Sequence, residues 1–239
     1  MEKEASRLSL FSDKKSSITV FSPIIKNDTK KCVVLFSGWG GRALNCKVNG
    51  TDPLLREGFD VICVQSNCDD WHQNVFTCGI SLLANYIKEN YSSALGYGTS
   101  MGAFGAILYS SRLRLNSILA LSPQYTISES FDQRWSQYDK KITWNYRMHN
   151  AIDYEGNIHV VFDLFNLDAR HAELFGQKFI NAKVYTHPIR FGSHPTTHYF
   201  NDAGKLKNLL ISFVRGEIKI PMVDTKKNKT YFRALSELL

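Results

Sequence analysis

The sequence predicts an α/β domain built on a mostly parallel central sheet flanked by helices. Three observations carry that expectation. Short runs rich in Val, Ile and Phe alternate with longer amphipathic segments, the rhythm of strand–helix–strand units. A glycine-punctuated junction at 98–102 joins one such run directly to a helix-forming segment. The 239 residues contain no internal repeat, low-complexity tract or Pro/Gly-rich linker. They therefore read as one domain over 1–239, long enough to bury a core without a metal or disulfide.

The elements follow in order. Segments 17–22 and 32–37 are β-rich and read as strands, as does DVICV at 60–64. A polar loop with Asp69, Asp70, Trp71 and His72 comes next. Over 76–89, Ile80, Leu83 and Ile87 recur at helical spacing, which predicts a helix with one apolar face. SALGY at 93–97 is a short strand and 101–111 a helix rich in small residues. SILALS (117–122), NIHVVF (157–162) and 182–187 complete the strands, and 204–214 forms a closing helix. Two stretches break the rhythm. Residues 126–155 form a polar-aromatic insertion with Trp135, Tyr138, Trp144 and Tyr146, readable either as a lid over a site or as an excursion packing on the domain. Residues 216–239 are a C-terminal extension.

Composition excludes several classes. The hydrophobic fraction of 44% and charged fraction of 21% are those of a soluble globular protein. No apolar run reaches the roughly 18 residues of a membrane span. Residues 1–10 carry charges of both signs and no signal-peptide core, so a cytoplasmic location is expected. The net charge of +7 is dispersed in pairs such as Lys30-Lys31 and Lys140-Lys141, a solvated basic surface rather than a nucleic-acid-binding face. Cys32, Cys46, Cys63, Cys68 and Cys78 are odd in number and form no C-x-x-C pair. Reduced, mostly buried thiols are expected. Asp69, Asp70 and His72 lack matching ligands elsewhere, so neither a metal nor a cofactor is expected.

The chemistry centres on Gly98-Thr99-Ser100-Met101-Gly102, a G-x-S-x-G placed between strand SALGY and helix MGAFGAILYSS. A nucleophilic serine at such a turn occupies a strained backbone conformation, so its neighbours must be nearly without side chains. Gly98 and Gly102 meet that need, and Gly105 permits close approach of helix to sheet. The Met101 amide, at the helix start, is positioned to stabilise an oxyanion. The bland alternative is a glycine-rich turn with an inert serine.

With strand 32–37 running into Gly38-Trp39-Gly40-Gly41, the sequence resembles the α/β-hydrolase superfamily. In that family an apolar strand ending in His-Gly feeds the loop that donates a second oxyanion-hole amide. Here Ser37 stands in place of the histidine, and the match makes the Trp39 amide the donor. The resemblance covers roughly 17–214 and implies an acid after a later strand, then a histidine after the last one. Asp163 and Asp168 follow strand 157–162; His194 and His198 follow strand 182–187. Asp168 is favoured because it leads into a helix over 169–175, whereas Asp163 continues the strand and could cap a turn or pair with Arg170. His194 is favoured because Phe191-Gly192-Ser193-His194 resembles the family's turn, with His198 a rival. His187, inside a strand, reads as structural. Trp71 and His72 fit a surface loop anchored by a tryptophan.

These residues imply a serine esterase using Ser100, His194 and Asp168 through an acyl-enzyme. Two further readings stay open: an O-acyltransferase with a glycan or other hydroxyl acceptor, and a non-catalytic binding protein that keeps the elbow for structure. The stretch 100–127 is similar to hydrolase-like proteins of bacterial surface-polysaccharide systems, which points to small-molecule or glycan esters as substrates.

Overall fold

The computed structural model describes residues 6–75, 79–224 and 228–236. Its centre is an eight-stranded sheet: β1 (Ser6–Ser12), β2 (Ser16–Ser22), β3 (Lys31–Phe36), β4 (Asp60–Ser66), β5 (Ser93–Thr99), β6 (Leu115–Leu121), β7 (Asn157–Asp163) and β8 (Lys183–Ile189). The spatial order is β1-β2-β4-β3-β5-β6-β7-β8. From β4 to β8 every pairing is parallel, while β1 and β2 join antiparallel at one edge. The central strands are continuous apolar runs because both of their faces are covered.

Within β3, Val34 and Phe36 face one core and Val33 and Leu35 the other, the period-2 alternation of a strand. The first core is closed by α2 (Gly79–Asn90), α3 (Met101–Leu108) and α5 (Asp168–Lys178). On α2 the side chains of Ile80, Leu83 and Ile87 supply the buried stripe. The second core lies under α1 (Thr51–Arg56), α6 (Thr196–Asp202) and α7 (Leu206–Val214).

The order of β4, β3 and β5 matters most for function. Chain direction along the sheet reverses at β3, so the loops leaving β3 and β5 open side by side at the carboxyl edge, where open α/β sheets bind ligands. Phe36 pairs with Gly98, which brings Ser37 and Gly38 beside the turn carrying Ser100.

Several elements differ from the sequence expectation. β1 was not expected: SRLSLFS is an exposed edge strand whose alternation is hidden by charge and serine. The predicted helix over 76–89 is α2, with residues 76–78 outside the described ones. The extension at 216–239 is not a bare tail. Ile218, Ile220 and Val223 pack on the second core, and α8 (Lys229–Ser236) follows. Asn228 Nδ2 donates to the Tyr199 carbonyl and Thr230 N to Asp202, both on α6.

The 126–155 insertion holds a short helix, α4 (Ser136–Asp139), between two single turns of tighter helix. Ile127, Met148, Ala151 and Tyr154 are buried in the first core, and Trp135, Tyr138, Trp144 and Tyr146 pack against it. The loop after β4 is no surface loop: Trp71 and His72 are fully buried despite positive φ. The four described cysteines are free; Cys32 and Cys63 are buried, Cys46 and Cys68 half-buried, and Cys78 lies outside the described residues. No described helix is long and apolar enough to cross a membrane.

Candidate active site

Ser100 sits between β5 and α3 at φ 51° and ψ −118°, outside the regions L-residues favour. Such a conformation costs about 1–3 kcal/mol and persists only where its surroundings enforce it. Here the Ser100 amide donates to the Leu121 carbonyl at 2.8 Å, and neighbouring backbone leaves no room for side chains. A Cβ on Gly98 would overlap the Gly102 carbonyl group, and one on Gly102 would overlap the Phe36 carbonyl oxygen. Helix α3 is thus pressed against β3, which aims Ser100 at the carboxyl edge of the sheet.

His194 and Asp168 converge there. Ser100 Oγ lies 2.9 Å from His194 Nε2, and His194 Nδ1 lies 2.9 Å from each oxygen of Asp168. Burial opposes the charged form of Asp168, but His194, Arg134 and Ser122 outweigh it and hold the carboxyl below the usual carboxylate range. An ionised Asp168 can only accept, so Nδ1 carries the ring proton and Nε2 is left to accept the Ser100 hydroxyl. Asp168 is the first residue of α5 rather than a loop residue before it.

The rival residues are placed differently. Asp163 accepts from the Phe165 amide at 2.9 Å and the Ser193 amide at 2.7 Å, so it ties the end of β7 to the turn preceding His194. Arg170 lies over the Phe131 ring instead of pairing with Asp163. His198 is exposed on α6 and lines the cavity beside Ser100. His187 stacks on His159 in β7.

Two partners of the site were not foreseen. Gln124, fully buried just after β6, donates from Nε2 to Ser100 Oγ at 3.3 Å and accepts from Trp71 Nε1 at 3.1 Å. Trp71 thereby fixes which end of the amide faces the serine. Arg134, from the insertion, donates to Asp168 Oδ1 at 3.1 Å while gripping both oxygens of Asp132 at 2.9 Å. Asp132 in turn accepts from His171 Nε2 at 3.0 Å, and His171 Nδ1 accepts from the Tyr125 amide. Burial opposes ionisation of Asp132 too, but His171 and Arg134 hold its carboxyl far below the usual range. Apart from the Asp132–Arg134 pair, two residues apart, these contacts span tens of residues, and no local motif announces them.

The loop after β3 is held from several sides. Ser37 N donates to the Val64 carbonyl, Ser37 Oγ accepts from Ser66 N at 3.2 Å, and the Ser37 carbonyl accepts from His72 Nε2 at 2.9 Å. Gly40 N donates to Asp69, which also pairs with Arg42. Asp70 accepts from Ser66 Oγ and the amides of His72 and Asn74, so both acids serve the loops. Met101 N belongs to the first turn of α3, where amides lack intrahelical acceptors. Trp39 is 47% exposed and shares with Ser100 and His194 a cavity of about 480 Å³. Arg134, Trp135, Asn49 and Asn201 are among its other lining residues, so the insertion forms part of the wall. Trp135 packs between Trp39, Trp71 and the His194 ring.

No protein-family model matches the sequence, and no curated protein matches it. Solved structures do. The chain is similar to Est1E from Butyrivibrio proteoclasticus, with a TM-score of 0.60 and 14% identity over 89% of this chain and 99% of that one. It is also similar to the capsule O-acetyltransferase of Neisseria meningitidis serogroup A, with a TM-score of 0.57 and 14% identity over 75% and 85% of the two chains. The Pyrococcus furiosus esterase Pf2001 matches at a TM-score of 0.56 and 14% identity, over 90% and 92%. The chain has the α/β-hydrolase fold.

Proposed function

We propose that the chain is a serine acyl hydrolase acting on carboxylic esters through Ser100, His194 and Asp168. The observation that carries this reading is the hydrogen-bonded chain from Ser100 Oγ through both ring nitrogens of His194 to Asp168, with Ser100 and His194 lining a cavity. In the reaction, Ser100 Oγ attacks the ester carbonyl carbon while His194 Nε2 takes its proton. Asp168 stabilises the imidazolium and fixes its tautomer. The amides of Met101 and Trp39 receive the oxyanion, each such donor contributing about 2.7–4 kcal/mol to the transition state. Collapse of the tetrahedral species expels the alcohol, protonated by His194, and leaves an acyl-Ser100 ester. Water, deprotonated by His194, attacks that ester; the acid leaves and Ser100 regains its proton.

A second reading, O-acyl transfer to a sugar hydroxyl, is favoured by the cavity lining. The exposed face of Trp39 beside Asn49, Asn201 and His198 offers an aromatic platform with amide and imidazole hydrogen-bonding groups, the surface chemistry that suits a sugar ring. The capsule O-acetyltransferase among the similar structures accords with it. The two reactions share the acyl-enzyme and differ only in the second acceptor.

The test treats wild type and Ser100→Ala with a fluorescent fluorophosphonate and with p-nitrophenyl acetate. Labelling and turnover in wild type that vanish in Ser100→Ala support the reading. An unlabelled, inactive wild type favours a non-catalytic binding protein instead. Adding oligosaccharides to the turnover assay and following acetylated sugar by mass separates transfer from hydrolysis.

A further inference from the structure

The insertion reaches the site through a clasp of four side chains. From the insertion come Asp132 and Arg134; from the first turn of α5 come Asp168 and His171. Arg134 crosses to Asp168 and His171 crosses to Asp132, so each element offers one anion and one basic group to the other. Asp132, Asp168 and His171 are almost fully buried, and the Arg134 side chain is 32% exposed, on the cavity wall. A guanidinium suits this place because its rigid fork can hold Asp132 with Nε and Nη2 and still direct one N–H at Asp168.

We propose that Arg134 is a positioning residue for Asp168, setting both the orientation of its carboxylate toward His194 and the share of its charge that His194 experiences. The inference rests on the reading of Ser100, His194 and Asp168 as the reacting set. Without the Arg134 bond, Asp168 keeps His194 and Ser122 but loses the one cation that fixes Oδ1 from the side of the insertion. The charged and titratable groups around the His194 ring are Asp168 from α5, Arg134 from the insertion with Asp132 behind it, and His198 from α6. Arg134 is the one permanent cation among them. Removing it leaves the charge of Asp168, the carboxylate bonded to His194 Nδ1, without its compensating cation, which favours the imidazolium.

The experiment compares wild type, Arg134→Met and Arg134→Lys, each checked for folding by thermal unfolding. Two quantities are followed against pH: kcat/KM for p-nitrophenyl acetate, and the downfield proton signal of His194 Nδ1–H in the NMR spectrum. For Arg134→Met the acid limb of the rate profile and the pH at which the His194 signal changes both move upward. Its kcat falls roughly ten- to a hundredfold, the scale of a misplaced reacting group. Arg134→Lys keeps the charge but not the fork, so its pH behaviour stays near wild type while kcat is only partly restored. If Arg134→Met does not fold, the Lys variant decides through its lowered kcat at unchanged pH profile.

A His194 signal and acid limb that do not move in Arg134→Met, with KM alone raised, overturn the proposal and make Arg134 a substrate contact. Wild-type kcat in Arg134→Lys overturns it as well. A wild type without turnover whose His194 signal still moves on loss of Arg134 defeats the esterase reading and leaves the clasp's hold on Asp168 intact.

Discussion

The Ser193 amide donates to Asp163 Oδ2 at 2.7 Å, joining the end of β7 to the turn that presents His194. The acid that ends β7 and the acid that starts α5 therefore have separate tasks. Asp163 holds the turn, and Asp168 holds the ring. Asp168→Asn is expected to fold normally and lose about 10⁴-fold in kcat, because the amide favours the wrong imidazole tautomer. Asp163→Ala leaves two backbone amides without their acceptor, so it destabilises the fold by about 1–3 kcal/mol and lowers kcat far less. Urea unfolding alongside initial rates checks both; the reverse ranking in kcat would assign the acid to Asp163.

Gln124 gives the second prediction. Its Nε2–H faces Ser100 Oγ because Trp71 occupies its Oε1. Gln124→Leu removes that donor and is expected to lower kcat about tenfold, as loss of one hydrogen bond worth about 1.5 kcal/mol in the transition state would. In Gln124→Glu the oxygen facing Ser100 can donate only when protonated. Activity of this variant should fall as pH rises through the titration of the new carboxyl, opposite in direction to a histidine base. Rate profiles between pH 5 and 8 that parallel wild type would remove Gln124 from the site.

What the sequence disclosed follows the range of the interactions involved. The elbow is local: Gly98, Ser100 and Gly102 sit within five residues, and their strand and helix flank them directly. The central strands were legible because burial on both faces makes them uniformly apolar. β1 was not, since its side chains are largely exposed. Gln124 and Arg134 escaped because their partners, Trp71 and Asp168, lie 53 and 34 residues away. Either residue alone is an ordinary loop polar group. The sequence around Trp71 fits a tryptophan anchoring a surface loop because nothing in it signals that Trp135 and Tyr138 of the insertion pack over the ring.

The third prediction concerns the elbow's packing. A methyl group on Gly102 would overlap the Phe36 carbonyl oxygen and stand 2.9 Å from that of Ser37. Both are backbone atoms of β3 and its exit loop, which cannot rotate aside as a side chain would. Gly102→Ala should therefore cost about 4 kcal/mol or more, the upper range for one substitution. Chemical denaturation measures it, and a loss below about 1 kcal/mol would mean that α3 shifts freely on the sheet.

The last prediction separates histidine from carboxylate titration. His159 in β7 stacks on Tyr185 and His187, and burial together with the neighbouring His187 lowers its pKa from 6.5 to about 4. The unfolded chain takes up the proton that the folded one refuses, so stability is present above pH 6.5 and is lost as pH falls toward 4. Asp132 and Asp168 act lower, because their depressed carboxyls contribute stability that is lost only as pH drops below the ordinary carboxylate value of about 3.9. The interval from pH 6.5 to 4.5 thus isolates the histidines. His159→Phe keeps an aromatic ring against Tyr185 and removes one titration, so its Tm should decline less steeply than wild type across that interval. The decline is reduced rather than abolished, since burial also depresses His72, His171 and His187. Parallel Tm curves for the two proteins would show that His159 is protonated as readily in the folded chain as in the unfolded one.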